Sequence, residues 1–201
     1  MIKGNKKYNI IYADPPWEYK NTTFGKRIND KESTFKESYS PLLRYPCMTL
    51  EQIKSLPIED IVEKDAVLFL WTTGPFMEQA TQVIDAWGFQ YKTVGFVWIK
   101  TTQLSKGRPG SPDGWLKKNL GKWTLSSTEF VLLGTKGSLK KETKNIRQVV
   151  MSPIRGHSQK PEVVRERIVA LLGDKPRIEL FARDKPEGWD VWGNEIDDSN
   201  S

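Results

Sequence analysis

The sequence predicts an α/β fold, an open and mostly parallel sheet with helices on both faces, and three observations carry that expectation. Short apolar runs of strand length alternate with segments of helical character. At 201 residues the chain is long enough for one well-cored domain and too short for two ordinary ones. The first apolar run, Tyr8-Asn9-Ile10-Ile11-Tyr12-Ala13, stops abruptly at Asp14-Pro15-Pro16-Trp17. In open α/β sheets ligands bind outside such carboxyl ends of strands. Ala182-Arg183-Asp184 marks a second end of the same kind.

The elements follow in order. Two consecutive prolines cannot sit inside a sheet ladder, so the first strand ends at Ala13. Residues 18–48 are polar and lack a clear period, which marks a long functional loop. Thr49-Leu50-Glu51-Gln52 has the form of a capping box opening a short helix. Residues 65–71 read as a strand, and Gly74-Pro75 starts a helix that Gly88 ends. Residues 90–100 are β-rich, with Val94, Phe96 and Trp98 alternating, and a Gly/Pro/Ser-rich loop follows at 105–114. Residues 128–133 and 147–151 are further strands. The helix at 161–172 has proline in its first turn, Val164, Ile168, Leu171 and Leu172 on one face, and Gly173 to stop it. Residues 177–181 form the last strand. Residues 1–196 are expected to be one domain and 197–201 a disordered tail.

Composition narrows the function classes. No apolar run approaches the ~20 residues of a membrane helix; the longest, 66–71, suits a buried strand. The basic start, Met1 to Lys7, is not followed by the apolar segment of a signal peptide. One cysteine, Cys47, excludes an internal disulfide, and one histidine, His157, leaves no Cys/His cluster for zinc. A cytoplasmic protein without structural metal is expected. The net charge of +6 is uneven: residues 100–147 hold 11 Lys/Arg against 3 Asp/Glu, a local +8, together with Trp115 and Trp123. Cations interleaved with aromatic rings suit a nucleic-acid groove, and also an ordinary solvated surface.

The chemistry centres on Asp14-Pro15-Pro16-Trp17. The exocyclic amine of adenine is a poor nucleophile because its lone pair is delocalised into the ring. Two acceptors aimed at its two N–H bonds turn that lone pair outward. Asp14 can supply one through its carboxylate and Pro15 the other through its carbonyl, held in place by Pro16. Trp17 offers a flat face for a base taken out of its stack. The alternative is a proline-bracketed turn whose Asp caps the next segment and whose Trp fills the core.

With these residues in view, the chain resembles the N6-adenine methyltransferase family named for the seventy-kilodalton catalytic subunit of messenger-RNA adenosine methyltransferase, particularly its short prokaryotic and phage members. The similarity runs through Tyr12-Ala13-Asp14-Pro15-Pro16-Trp17, Tyr45-Pro46-Cys47-Met48-Thr49 and Leu68-Phe69-Leu70-Trp71-Thr72-Thr73-Gly74. It continues through Trp98-Ile99-Lys100-Thr101, Ser158-Gln159-Lys160-Pro161, Glu179-Leu180-Phe181-Ala182-Arg183 and the segment from Gly188 to Glu195. The resemblance implies a Rossmann-like class I methyltransferase fold in permuted (beta-class) order, with the catalytic motif first and the cofactor strand last. It implies S-adenosyl-L-methionine as cofactor and adenine N6 in nucleic acid as target. By the same resemblance Asp14, Pro15, Pro16 and Trp17 are catalytic, and Asp14 and Pro15 also border the cofactor. Phe181 lies in the segment that replaces the glycine loop, Arg183 and Asn194 hold the ribose with Glu195 beside them, and Lys160 and Ser158 reach the methionine carboxylate. Tyr45, Trp98, Lys100 and Glu129 match the acceptor pocket. Trp71 and Trp98 also read as core, and His157 as a hydrogen-bonding loop residue with no catalytic role.

Glu129 stands in an otherwise apolar segment, Phe130-Val131-Leu132-Leu133, so its carboxylate needs a partner. No separate target-recognition domain is visible, which leaves selectivity to residues 18–48 and 100–122 or to a partner subunit. DNA is favoured over RNA because short stand-alone members lean that way. The rival reading is a catalytically silent, nucleic-acid-binding partner of a methyltransferase complex, which an intact Asp14 and Arg183 argue against. A basic adaptor without enzymatic activity leaves the prolines unexplained. A homodimer and a pairing with another subunit both stay open.

Overall fold

The computed structural model describes residues 6–18, 47–102, 114–117, 123–155 and 159–193. Among the described residues, seven strands and three helices follow in chain order. They are β1 (Tyr8–Ala13), α1 (Leu50–Lys54), β2 (Val62–Thr72), α2 (Met77–Ala86), β3 (Gln90–Thr101), β4 (Thr128–Lys136), β5 (Val149–Pro153), α3 (Glu162–Leu172), β6 (Arg177–Leu180) and β7 (Asp190–Trp192). Short 3-10 turns at Ile58–Ile61 and Gly74–Phe76 precede β2 and α2.

The strands form one sheet in the order β5-β3-β4-β2-β1-β6-β7. Every adjacent pair is parallel except those made by β4, which runs against both β2 and β3. The expected mostly parallel sheet is therefore the observed one. Alternation along β1 and β2 sends side chains to two separate cores. Ile11, Ala13, Leu68 and Leu70 pack with Ile53 of α1 and Ala80, Val83 and Ile84 of α2. Ile10, Tyr12, Val67 and Phe69 pack on the other face with Val164, Ile168 and Leu172 of α3. Helices thus cover both faces. Among the described residues no helix is long and apolar enough to cross a membrane.

Local chemistry accounts for the boundaries. Thr49 caps α1, its hydroxyl accepting from the Gln52 N–H at 3.3 Å while Gln52 Oε1 accepts from the Thr49 N–H at 2.9 Å. Gly88 and Gly173 follow α2 and α3 with φ of 76° and 80°, where a side chain is disfavoured. Residues 74–76, expected as the first turn of α2, wind more tightly as a 3-10 turn. The last long strand ends at Leu180, because Phe181 takes up φ 61°. Strand β7 was not expected. It is three residues long and exists by pairing with β6, Leu180 lying opposite Trp192. Most of the loops expected at 18–48 and 105–114, and the tail at 197–201, lie outside the described residues.

The site is positioned by β1, the strand at which the connections change direction. From β1 the chain moves outward to β2, whereas β6 and β7 build the opposite flank. Such a switch point leaves a crevice at the carboxyl ends of the two adjacent strands, here β1 and β6.

Candidate active site

Asp14 is the first residue beyond β1, and its N–H donates to the Leu180 carbonyl at 3.4 Å, tying the two strand ends together. The Pro15 carbonyl accepts from the Trp17 N–H at 2.9 Å. This is a three-residue turn centred on Pro16, whose ring already holds φ near the value the turn needs. One lone pair of the Pro15 carbonyl remains for another donor. The Pro16 carbonyl accepts from the Met48 N–H at 2.9 Å, which anchors the far end of the motif.

Trp17 differs from the expectation of an open stacking face. Its ring is buried, lies nearly parallel to Phe76 at 5.5 Å between centroids, and donates its indole N–H to the Trp71 carbonyl at 3.2 Å. The apolar surface of the ring is satisfied by the core, so Trp17 pins the proline turn to the end of β2.

Four charged side chains from four distant segments meet beside the turn. Lys160, just before α3, donates to Asp14 Oδ2 at 2.6 Å and lies 3.3 Å from Glu129 Oε2. Glu129, at the start of β4, also pairs with Lys100 at the end of β3. The series Asp14–Lys160–Glu129–Lys100 alternates in sign and is neutral overall. All four side chains are largely buried, at 22, 12, 14 and 14% exposure, so each charge depends on its neighbours. Tryptophan rings floor the cations: the Lys160 ammonium is 5.3 Å from the Trp71 centroid and that of Lys100 is 5.0 Å from Trp98. Trp71 and Trp98 are both buried, as the core reading expects, and Trp98 donates to the Ser152 carbonyl at 3.1 Å.

The two carboxylates titrate in opposite directions. Burial, reinforced by the nearby charge of Glu129, lifts the Asp14 carboxyl above its ordinary value against the pull of Lys160. Glu129 is equally a buried acid, but Lys160 and Lys100 together overcome that and hold it low. Lys160, despite burial, is held charged by Asp14 and Glu129.

A second network lies under β6. Arg165 of α3 grips Glu179 with two hydrogen bonds, Nε to Oε2 at 2.7 Å and Nη2 to Oε1 at 3.1 Å. The same Nη2 donates to Asp184 at 2.8 Å. One guanidinium thus holds both ends of the segment that turns through Phe181. Phe181 is the one described non-glycine residue with positive φ, a conformation that costs about 1–3 kcal/mol and persists only where its surroundings enforce it. The Ala182 N–H donates to the Trp192 carbonyl at 3.0 Å, and Phe181 meets Trp192 edge-on at 5.3 Å. Gly193 closes this corner so tightly that a Cβ there would fall 2.2 Å from the Ala182 carbonyl oxygen. Burial raises the Glu179 carboxyl, with Arg165 opposing.

Among the expected site residues, Asp14, Lys160, Glu129, Lys100 and Trp98 come together, and Arg183 is close enough for its charge to act on Asp14. Phe181 follows directly on the end of β6 and packs against one of the two cores. Tyr45, Ser158, Asn194 and Glu195, with His157, lie outside the described residues. Sequence reasoning missed Arg165. Its signal was Glu179, an acid inside the apolar run 178–181 that demands a partner just as Glu129 does.

A family model described as MT-A70 matches residues 8–195. The chain is 38% identical to the type II methyltransferase M.MunI of Mycoplasma sp, over 96% of this chain and 80% of that protein. It is 28% identical to the N(6)-adenosine-methyltransferase catalytic subunit METTL3 of Homo sapiens, over 95% of this chain and 28% of that protein. With the MT-A70-like N(6)-adenosine-methyltransferase of Arabidopsis thaliana the identity is 25%, over 94% of this chain and 24% of that protein. The chain therefore spans about a quarter of these two larger relatives.

Proposed function

The chain belongs to the MT-A70 family, and from that premise we propose that it transfers a methyl group from S-adenosyl-L-methionine to the N6 amine of adenine in nucleic acid, DNA in preference to RNA. The observation that carries the reading is the carboxylate of Asp14 beside the half-used carbonyl of Pro15, at the carboxyl end of the switch-point strand.

The corner at β6 suits the cofactor. Gly193 lets the chain pass directly against the Ala182 backbone, and Phe181 is held in a left-handed turn directly after β6. Lys160 is a cation for the methionine carboxylate, and Ser158 lies two residues before it. Arg183, with Asn194 and Glu195, takes the ribose. When bound, the sulfonium group supplies an electrophilic methyl.

Asp14 and Pro15 then do two things for the amine. They accept its two N–H bonds, and they aim its lone pair at the methyl carbon within the ~3–3.5 Å of a near-attack geometry. The amine becomes acidic only as it is alkylated, so its proton passes to Asp14 or to solvent and no strong base is needed. Lys160 must shift from Asp14 toward the cofactor for this to occur, and Glu129, held ionised by Lys100, gives its ammonium a second resting partner. Trp98 supports Lys100, and Tyr45 completes the acceptor pocket.

DNA is preferred on similarity, which is 38% identity to the type II methyltransferase against 28% and 25% to the two adenosine methyltransferases. Its nucleic-acid substrate and lone Cys47 suit the cytoplasm.

The test is mass-spectrometric detection of N6-methyladenine after incubating the protein with S-adenosyl-L-methionine and matched DNA and RNA. Wild type should yield product, more on DNA, and Asp14→Ala should lower kcat by about 100-fold or more. Product on RNA alone would overturn the DNA preference. Cofactor binding without product on either would identify a silent partner subunit.

A further inference from the structure

Trp123 is the one tryptophan that stands in solvent, at 93% exposure, while the other seven are buried or half-buried. An indole so exposed forgoes the burial that makes tryptophan favourable in a fold, and Leu125 beside it is 55% exposed. Their place in the sheet is definite. Strand β4 runs against β2, with Phe130 opposite Thr72 and Leu132 opposite Leu70, and Leu70 lies beside Ala13 of β1. The segment entering β4 therefore emerges at the same end of the sheet as Asp14. It is tied there by backbone bonds, the Lys100 N–H donating to the Ser127 carbonyl at 2.7 Å and the Lys117 N–H to the Lys100 carbonyl at 2.8 Å. Trp123 precedes Ser127 by four residues, no more than about 14 Å of chain.

The chain leading to Trp123 is cationic. Residues 100–127 carry 6 Lys/Arg against 1 Asp/Glu, whereas Lys136 and the lysines after it leave from the far end of β4, opposite Ala66. Lys117 is exposed beside the Trp123 segment. An apolar ring within a positive field fits a polyanion with stacked bases better than it fits another basic protein surface.

We infer that Trp123 is a wedge for duplex nucleic acid: its ring enters the base stack and fills the space left when the target adenine turns out toward Asp14. This rests on the reading of the chain as an adenine methyltransferase. Taking a base from a duplex forfeits stacking, and an inserted apolar side chain restores part of it. A single strand needs no such replacement, so the inference separates two substrates that a general binding residue would treat alike.

The experiment compares wild type, Trp123→Ala and Trp123→Phe on adenine-unmethylated genomic DNA, native and heat-denatured, with isotopically labelled S-adenosyl-L-methionine. The mixed sequence removes any need to know the target site. Trp123→Ala should raise KM for native DNA roughly ten-fold or more, leave KM for the cofactor unchanged, and act on denatured DNA within about two-fold of wild type. Trp123→Phe should keep most of the duplex activity. Equal activity of Trp123→Ala and wild type on native DNA would overturn the inference. So would an equal loss on both DNA forms, or loss of a wild-type dimer in sedimentation, which would assign the ring to a protein interface. If wild type methylates neither form, the methyltransferase reading fails separately. Fluorescence anisotropy with a labelled duplex then decides the wedge: weaker binding by Trp123→Ala supports it, and unchanged binding refutes it.

Discussion

At the scale of single residues, the proposed mechanism assigns the acid limb of activity to Asp14. Its carboxyl is raised by burial and by Glu129, so it protonates first as the pH falls, while Glu129 stays ionised to lower pH. Activity requires the ionised form, and should decline on the acid side through an apparent pKa above that of an ordinary aspartate. Glu129→Gln removes a charge that pushes the Asp14 pKa up, so the limb should move to lower pH even as the maximum rate drops. Lys160→Met removes a charge that pulls it down, and should move the limb to higher pH. A pH profile of kcat reads both signs. No shift in either variant would show that the limb reports some other group. The acids were legible in sequence because each interrupts an apolar run or ends one. Trp17 was not, because an aromatic after two prolines reads equally as a stacking face or as core, and only the Phe76 ring and the Trp71 carbonyl decide between them.

Elements raise a different question, namely what holds the turn after β6 before any ligand arrives. Arg165 spans it from α3, bonded to Glu179 on one side and Asp184 on the other. Arg165→Gln should raise the KM for S-adenosyl-L-methionine by about 10-fold or more and leave kcat at saturation nearly unchanged, since the turn is displaced but Asp14 is not. The double variant Arg165→Met with Glu179→Gln removes the unpaired buried acid and should recover thermal stability without recovering that KM. If it recovers both, Arg165 only supports the fold. Gly193→Ala should weaken cofactor binding for a steric reason, because its Cβ overlaps the Ala182 carbonyl; isothermal titration would measure the loss. Most elements could be read in advance, since period, proline and glycine mark them locally. Strand β7 could not, because three residues carry no period and its pairing with β6 is a long-range fact. Arg165 was hidden for a similar reason: among Glu162, Glu166 and Arg167 it looks like one more charge on a solvated helix face.

On the scale of the molecule, charge sets the approach of the substrate. A net +6 concentrated in residues 100–147 predicts that KM for duplex DNA rises steeply with salt, with a log–log slope of about 0.9 for each phosphate neutralised. KM for the cofactor should stay flat over the same range. A flat response for DNA would mean that the basic stretch is an ordinary solvated surface. The mostly parallel sheet was inferable from the alternation of strands and helices, but the strand order and the antiparallel insertion of β4 between β2 and β3 were not. It brings Glu129 opposite Trp98 and, with them, half of the charged series.

The pairing of β1 with β6 governs how the protein comes to exist on the ribosome. Ile10 to Ala13 lie beside Arg177 to Leu180, so β1 has an open flank until the distant β6 emerges. Until then Asp14 has neither the Leu180 carbonyl to anchor its backbone nor Lys160 to neutralise it. On the proposed mechanism the reactive corner is therefore assembled only as the closing act of folding.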